Sequence, residues 1–201
     1  MALSTYANLK SAIASWAHRS DITDSTLDLF IDLAEAEFNN RLRTAEQETV
    51  ADLVCTSRYT ALPADLAEIR VVEHNGTRLR NLEYATPDYM ARWRQYEPSG
   101  DPKAYSVRGT DLELIPTPDS VTVTLTYWAK VPALSGANTT NWLIDAHPNM
   151  YLLECMRHLS IYIKDDAGAA RYATQMQGYF DALRRADNAK RFGGPLRVRV
   201  A

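Results

Sequence analysis

The sequence predicts an α+β fold that is mainly helical, with a small antiparallel β-rich insertion. Apolar residues recur at helical spacing near both ends of the chain, while Val121 to Val131 alternates apolar and polar residues as a half-buried strand does. Two turn pairs, Asn75-Gly76 and Gly109-Thr110, punctuate the stretch between. The expected arrangement is an N-terminal αα-hairpin packed with long C-terminal helices, followed by an extended tail. In residue numbers this gives a helical hairpin at 1–46 and a β-rich insertion with one short helix at 47–135. Helices completing the helical core follow at 141–192, and the tail at 193–201.

The first helix spans 4–18, with Tyr6, Leu9, Ile13 and Trp16 at helical spacing and Ser4 as cap. Ser20 to Asp24 breaks the pattern. The second helix runs from Thr26 to Leu42 with Ser25 as cap. Its apolar stripe is Leu27, Phe30, Ile31, Ala34, Phe38 and Leu42; Asp28, Asp32, Glu35, Asn39 and Arg43 fall on the other face, and Glu35 and Glu37 read as solvated.

In the insertion, Thr49–Cys55 and Arg70–His74 fit short strands, with Thr77–Leu82 returning antiparallel after Asn75-Gly76. Thr86-Pro87-Asp88 opens a short helix through Tyr96. Ala104–Arg108 and Leu112–Ile115 form a second hairpin. After a polar loop at 132–141, helical pattern resumes at Pro148. Leu152, Cys155, Met156, Leu159, Tyr162 and Ile163 make its apolar face, opposite Glu154, Arg157 and Lys164. Asp165-Asp166 marks a bend and supplies capping carboxylates before a long helix from Ala167 to Lys190, stopped by Phe192-Gly193-Gly194-Pro195.

The 201 residues are 46% hydrophobic and 23% charged, with net charge -3, so bulk phosphate binding is not indicated. No apolar run approaches the ~20 residues of a membrane span, and no secretory leader is visible, which points to synthesis in a cytoplasm. Cys55 and Cys155 are far apart and read as free thiols. Four Trp and eleven Tyr suit cores and half-wet interfaces alike.

Sites of chemistry are not found. His18, His74, His147 and His158 form no metal-ligand spacing with one another or with cysteine. Glycine-rich phosphate loops and nucleophile elbows are missing too. The expectation is a non-enzymatic chain with no cofactor, no metal and no catalytic residues. The C-terminus is the unusual feature: Arg184, Arg185, Lys190, Arg191, Arg197 and Arg199 stand against one acid, Asp187. Three readings stay open here. The cluster is a basic helix end suited to the helix dipole, a nucleic-acid contact, or part of an extended peptide, Leu196-Arg197-Val198-Arg199-Val200, that adds to a partner's sheet edge.

Several stretches in order carry a family resemblance. They include Tyr6-Ala7-Asn8-Leu9-Lys10, Phe30 to Asn39, Arg41-Leu42-Arg43, Tyr59 to Asp65, Leu82-Glu83-Tyr84 and Tyr127 to Leu134. Asn141-Trp142-Leu143, His147-Pro148, Tyr151-Leu152, Asp165-Asp166 and Gly193 to Arg199 continue the series. With these the chain resembles the head-to-tail adaptor (connector) proteins of tailed bacteriophages. The resemblance implies a structural protein of the virion neck, made in the host bacterial cytoplasm. It implies as partners the portal protein, tail or neck proteins, and copies of itself in a ring, usually of twelve. Genome DNA would pass the ring's channel without specific binding, and no membrane is involved. The portal-docking tail would be Phe192, Gly193, Gly194, Pro195, Leu196, Arg197, Val198, Arg199 and Val200. The alternatives are a tail-completion protein lower in the neck and a nucleic-acid-binding accessory protein using the basic C-terminus.

Overall fold

Capping side chains set where the helices begin. Thr5 accepts from the Asn8 amide and Thr23 from the Thr26 amide, so the first two helices start at Tyr6 and Asp24, a residue or two away from the starts that Ser4 and Ser25 suggested. The structure, a computed structural model, describes residues 3–19, 21–75 and 79–192. Along the chain come α1 (Tyr6–Ala17), α2 (Asp24–Arg41), β1 (Glu48–Cys55), β2 (Tyr59–Ala61), β3 (Leu66–Asn75), β4 (Leu79–Asn81) and β5 (Glu83–Tyr84). Then follow α3 (Pro87–Trp93), β6 (Ala104–Arg108), β7 (Asp111–Ile115), β8 (Val121–Ala129), α4 (Trp142–Ala146), α5 (Pro148–Tyr162) and α6 (Asp166–Phe192). Two units divide these elements. One holds the described residues up to Glu46 and from Val131 onward, and the other is Gln47–Lys130.

Helix takes 47% and strand 25% of the structure, which overturns the expectation of a mainly helical protein with a small antiparallel insertion. The fold is α+β with two four-stranded sheets, ordered β1-β8-β3-β4 and β2-β7-β6-β5. The second sheet is mixed, because β5 pairs with β6 in parallel. Sequence pattern underestimated the strands for a physical reason. β2 and β5 are too short to show a period. β3 begins at Leu66 rather than Arg70, and register shifts near its start blur the alternation.

In the β unit, β8 is central, antiparallel to β1 on one side and β3 on the other. Its inward Val123, Leu125 and Tyr127 meet Cys55, Val72, Leu112 and Leu114 in one core, and the threonines between them face outward. β6 and β7 form a hairpin whose turn needs Gly109 at φ 62, in the left-handed region. Of the β3–β4 hairpin, Gly76 lies outside the described residues. Glu113 on β7 is fully buried and meets three guanidinium groups, those of Arg58, Arg94 and Arg108. Burial pushes its carboxyl up, but the bonds and charges of Arg58 and Arg108 outweigh this and hold it below the usual range.

In the helical unit α5 is the central element, and Met150 through Met156 are all buried. The expected polar side of this helix is therefore corrected at Glu154. Its carboxylate is buried and ion-paired with Arg157, with His158 3.4 Å away. Asp165 accepts from the Gly168 amide at 3.0 Å and caps α6. A side chain at Gly168 would run into that carboxylate, because a Cβ there lies 2.1 Å from Asp165 Oδ2.

Glu35 is also corrected. It is not on a solvated face but buried, 5% exposed, between α2 and α5. Its Oε1 accepts the Leu134 amide at 2.8 Å and the Tyr151 hydroxyl at 3.1 Å. Asn141 Nδ2 donates to that hydroxyl and to the Pro132 carbonyl, both at 2.7 Å, while its Oδ1 accepts from the Leu143 and Ile144 amides to cap α4. Asn39 Oδ1 accepts the Val131 amide at 2.7 Å. Segment 131–141 is thus held to α2 and α5 by buried polar bonds.

Burial raises the Glu35 carboxyl to about 7, against the lowering effect of its two donors. The folded state therefore binds a proton that the unfolded chain, with its carboxyl near 4.5, has already released. This contribution lowers stability as pH rises from about 4.5 to about 7, and is constant above that. Glu35→Gln keeps an acceptor for both donors and removes the titration. Chemical denaturation of the whole protein between pH 5 and pH 8 is expected to show a slope that the variant lacks, by at most about 3 kcal/mol. An equal slope in both proteins would assign the pH dependence to other groups.

Candidate functional site

The C-terminal end of α6 is where the sequence placed the candidate site, and the helix is tied down there. Asp187, buried beneath the last turns, accepts the Ala45 amide at 2.6 Å and pairs with Arg191 at 2.8 Å. Lys190 reaches Glu46, and this pair holds the Glu46 carboxyl below its ordinary range. The sequence cluster of basic residues is therefore divided. Lys190 and Arg191 are used inside the unit, while Arg184 and Arg185 are exposed on α6. Phe192 is the last residue of α6 and is 70% exposed. Gly193, Gly194, Pro195, Leu196, Arg197, Val198, Arg199 and Val200 lie outside the described residues.

Other surfaces expose apolar side chains. Trp16, which helical spacing places on the apolar stripe of α1, is 52% exposed. It borders an open groove of about 590 Å³ with Asn149, Leu152 and Leu153 of α5 and Gln175, Gly178, Tyr179 and Ala182 of α6. Two leucines of α2 outside its predicted stripe, Leu29 and Leu33, are 52% and 41% exposed. Their i,i+4 spacing was the available signal, since two leucines on an acidic helix face form a second ridge. The β unit shows an aromatic patch on and just after α3, where Tyr89 stacks edge-on against Trp93 and Tyr96 stands exposed. Edge strand β1 shows Val50 and Val54 to solvent.

The histidines do not converge. His74 is buried in β3, His147 caps through its backbone at the junction of α4 and α5, and His158 lies beside Glu154. Among the described residues no group of three or more His, Cys, Asp or Glu could hold a metal ion, and no helix is long and apolar enough to cross a membrane. Cys55 and Cys155 are free and buried, and burial pushes both thiols up.

Exposed apolar and aromatic patches of this kind suit contact with other chains. The family model described as SU10 adaptor protein matches residues 4–199, and the chain belongs to that family. It is accordingly a structural adaptor protein of a bacteriophage virion. None of the curated proteins matches the chain.

The geometry around Asp187 gives a direct expectation. Asp187→Ala removes the acceptor of the Ala45 amide and the partner of Arg191, at a cost of about 1–3 kcal/mol. Denaturant unfolding should show the loss, and hydrogen exchange should show faster exchange at the Ala45 amide. Unchanged exchange there would mean that the end of α6 is held by other contacts.

Proposed function

We propose that this protein is the head-to-tail adaptor that joins the portal to the tail. Copies form a ring beneath the portal, twelve by analogy with similar adaptors, and the lower face of the ring receives tail or neck proteins. The family match supports this reading, since it runs nearly the whole length and reaches into the C-terminal segment. In this reading Phe192 to Val200 dock on the portal, with alternating Leu196, Val198 and Val200 packing and Arg197 and Arg199 pairing with acids. The anchored end of α6 supports it as well. Asp187 bonded to the Ala45 amide and Lys190 paired with Glu46 hold the end of α6 to the chain at 45–46, so that the helix ends at a fixed root. Twelve weak contacts repeated around a ring add up to strong attachment. DNA passes the channel without sequence readout. The internal pairing of Lys190 and Arg191 leaves fewer cations for a phosphate backbone, which disfavours the nucleic-acid reading.

Co-sedimentation with portal rings of the same phage tests this, using the full chain and a version ending at Phe192. Binding by the full chain alone is the expected result. Binding by both removes the role of the tail, and binding by neither moves the protein lower in the neck.

A further inference from the structure

The helical unit carries two unlike apolar surfaces. One is the groove between α1 and α6, floored by Leu152 and Leu153 of α5. Its α6 wall is low, because Gly178 and Ala182 stand there and a Cβ added at Gly178 would meet nothing within 4 Å. The other is the ridge of Leu29 and Leu33 on α2. Around the axis of α5, at 100° per residue, Tyr151 and Cys155 face α2, with Tyr151 stacking on Phe38 at 5.0 Å and Cys155 reaching the Phe30 carbonyl. Asn149, Leu152 and Leu153, which face the groove, are centred about 130° away from that direction. Groove and ridge therefore lie on different sides of one central helix, and a subunit cannot fill its own groove with its own ridge.

We propose that the ridge of one copy seats in the groove of the next, so that Leu29 and Leu33 pack on Leu152, Leu153, Trp16 and Tyr179 of a neighbouring copy. Charge favours this occupant. Asp32 stands beside Leu33 on the ridge, and the α6 wall is bracketed by Arg171, one turn before Gln175, and Arg185, one turn after Ala182. Asp32, Arg171 and Arg185 are all exposed, and none is in an ion pair among the described residues. A contact between two different patches is heterologous. It leaves one groove and one ridge unfilled after each addition and so continues until it closes or runs on. The inference deepens the ring reading and rests on it for closure, but the contact itself can be tested apart from the portal.

A double variant, Leu33→Cys with Ala182→Cys, places one thiol on each exposed surface, and the native Cys55 and Cys155 are buried. The full-length protein is oxidised at high concentration, free and on portal rings, beside each single variant and beside a lysine-reactive crosslinker. The expected result is a disulfide ladder extending beyond the dimer in the double variant and absent from both single variants. Dimers from Leu33→Cys alone would show a symmetric contact and overturn the proposal. So would the lack of a ladder both free and on portals. Lysine crosslinking would then show whether the ring reading stands with other surfaces or falls too. An adduct between the portal and the thiol introduced by Ala182→Cys, formed by a thiol–amine crosslinker, would give the groove to the portal and also overturn the proposal.

Discussion

The alignment of the helical unit turns on one costly arrangement, a carboxyl group buried where α2, α5 and the returning chain meet. Isolated in an apolar core, the Glu35 side chain would be strongly destabilising. It is tolerated because its acceptor oxygen takes the Leu134 amide and the Tyr151 hydroxyl, and because Asn141 satisfies the same hydroxyl from the other side. The benefit is specificity of position more than raw stability. Glu35, segment 131–141 and Tyr151 satisfy one another's polar groups in the register seen here.

This register explains how a unit interrupted by 84 inserted residues, Gln47–Lys130, still closes on itself. The chain leaves after α2 and re-enters at Val131, where Asn39 takes the first returning amide and Glu35 a second. Asn141 then both ends the returning segment and caps α4, so that α5 starts in the right place. Farther on, Asp187 takes the Ala45 amide and fixes the end of α6 to the point of departure. Apolar packing drives the assembly of these helices, while four polar side chains decide their alignment.

Much of the helical pattern was readable in the chain. Leu9, Ile13, Phe30, Ile31 and Phe38 occur at helical spacing and are buried as that spacing requires. Glu35 was misread because its residue type suggested solvent, although its position four residues after Ile31 and three before Phe38 puts it at the border of the buried stripe. Glu154 misled in the same way, since its partners Arg157 and His158 lie on its own helix and make a buried charge possible. The β unit was harder to read. Its strands β2, β4 and β5 are two or three residues long, and pairing of β5 with β6 in parallel has no local signal in sequence. The exposed apolar surfaces were the least legible, because an exposed Leu33 and a buried Ile31 look alike until the packing is known.

These features join in a single account. A polar-aligned helical scaffold presents fixed surfaces and a fixed helix end, and the proposed ring would use both, since each copy in it would meet its neighbours and the portal in the same geometry. The most direct measurement is a reconstruction of the neck of the intact virion at a resolution that traces side chains. The account predicts a ring of this chain directly beneath the portal, with the residues after Phe192 traced onto the portal surface. A neck in which another protein makes all the portal contacts, with this chain below it or absent, would contradict it.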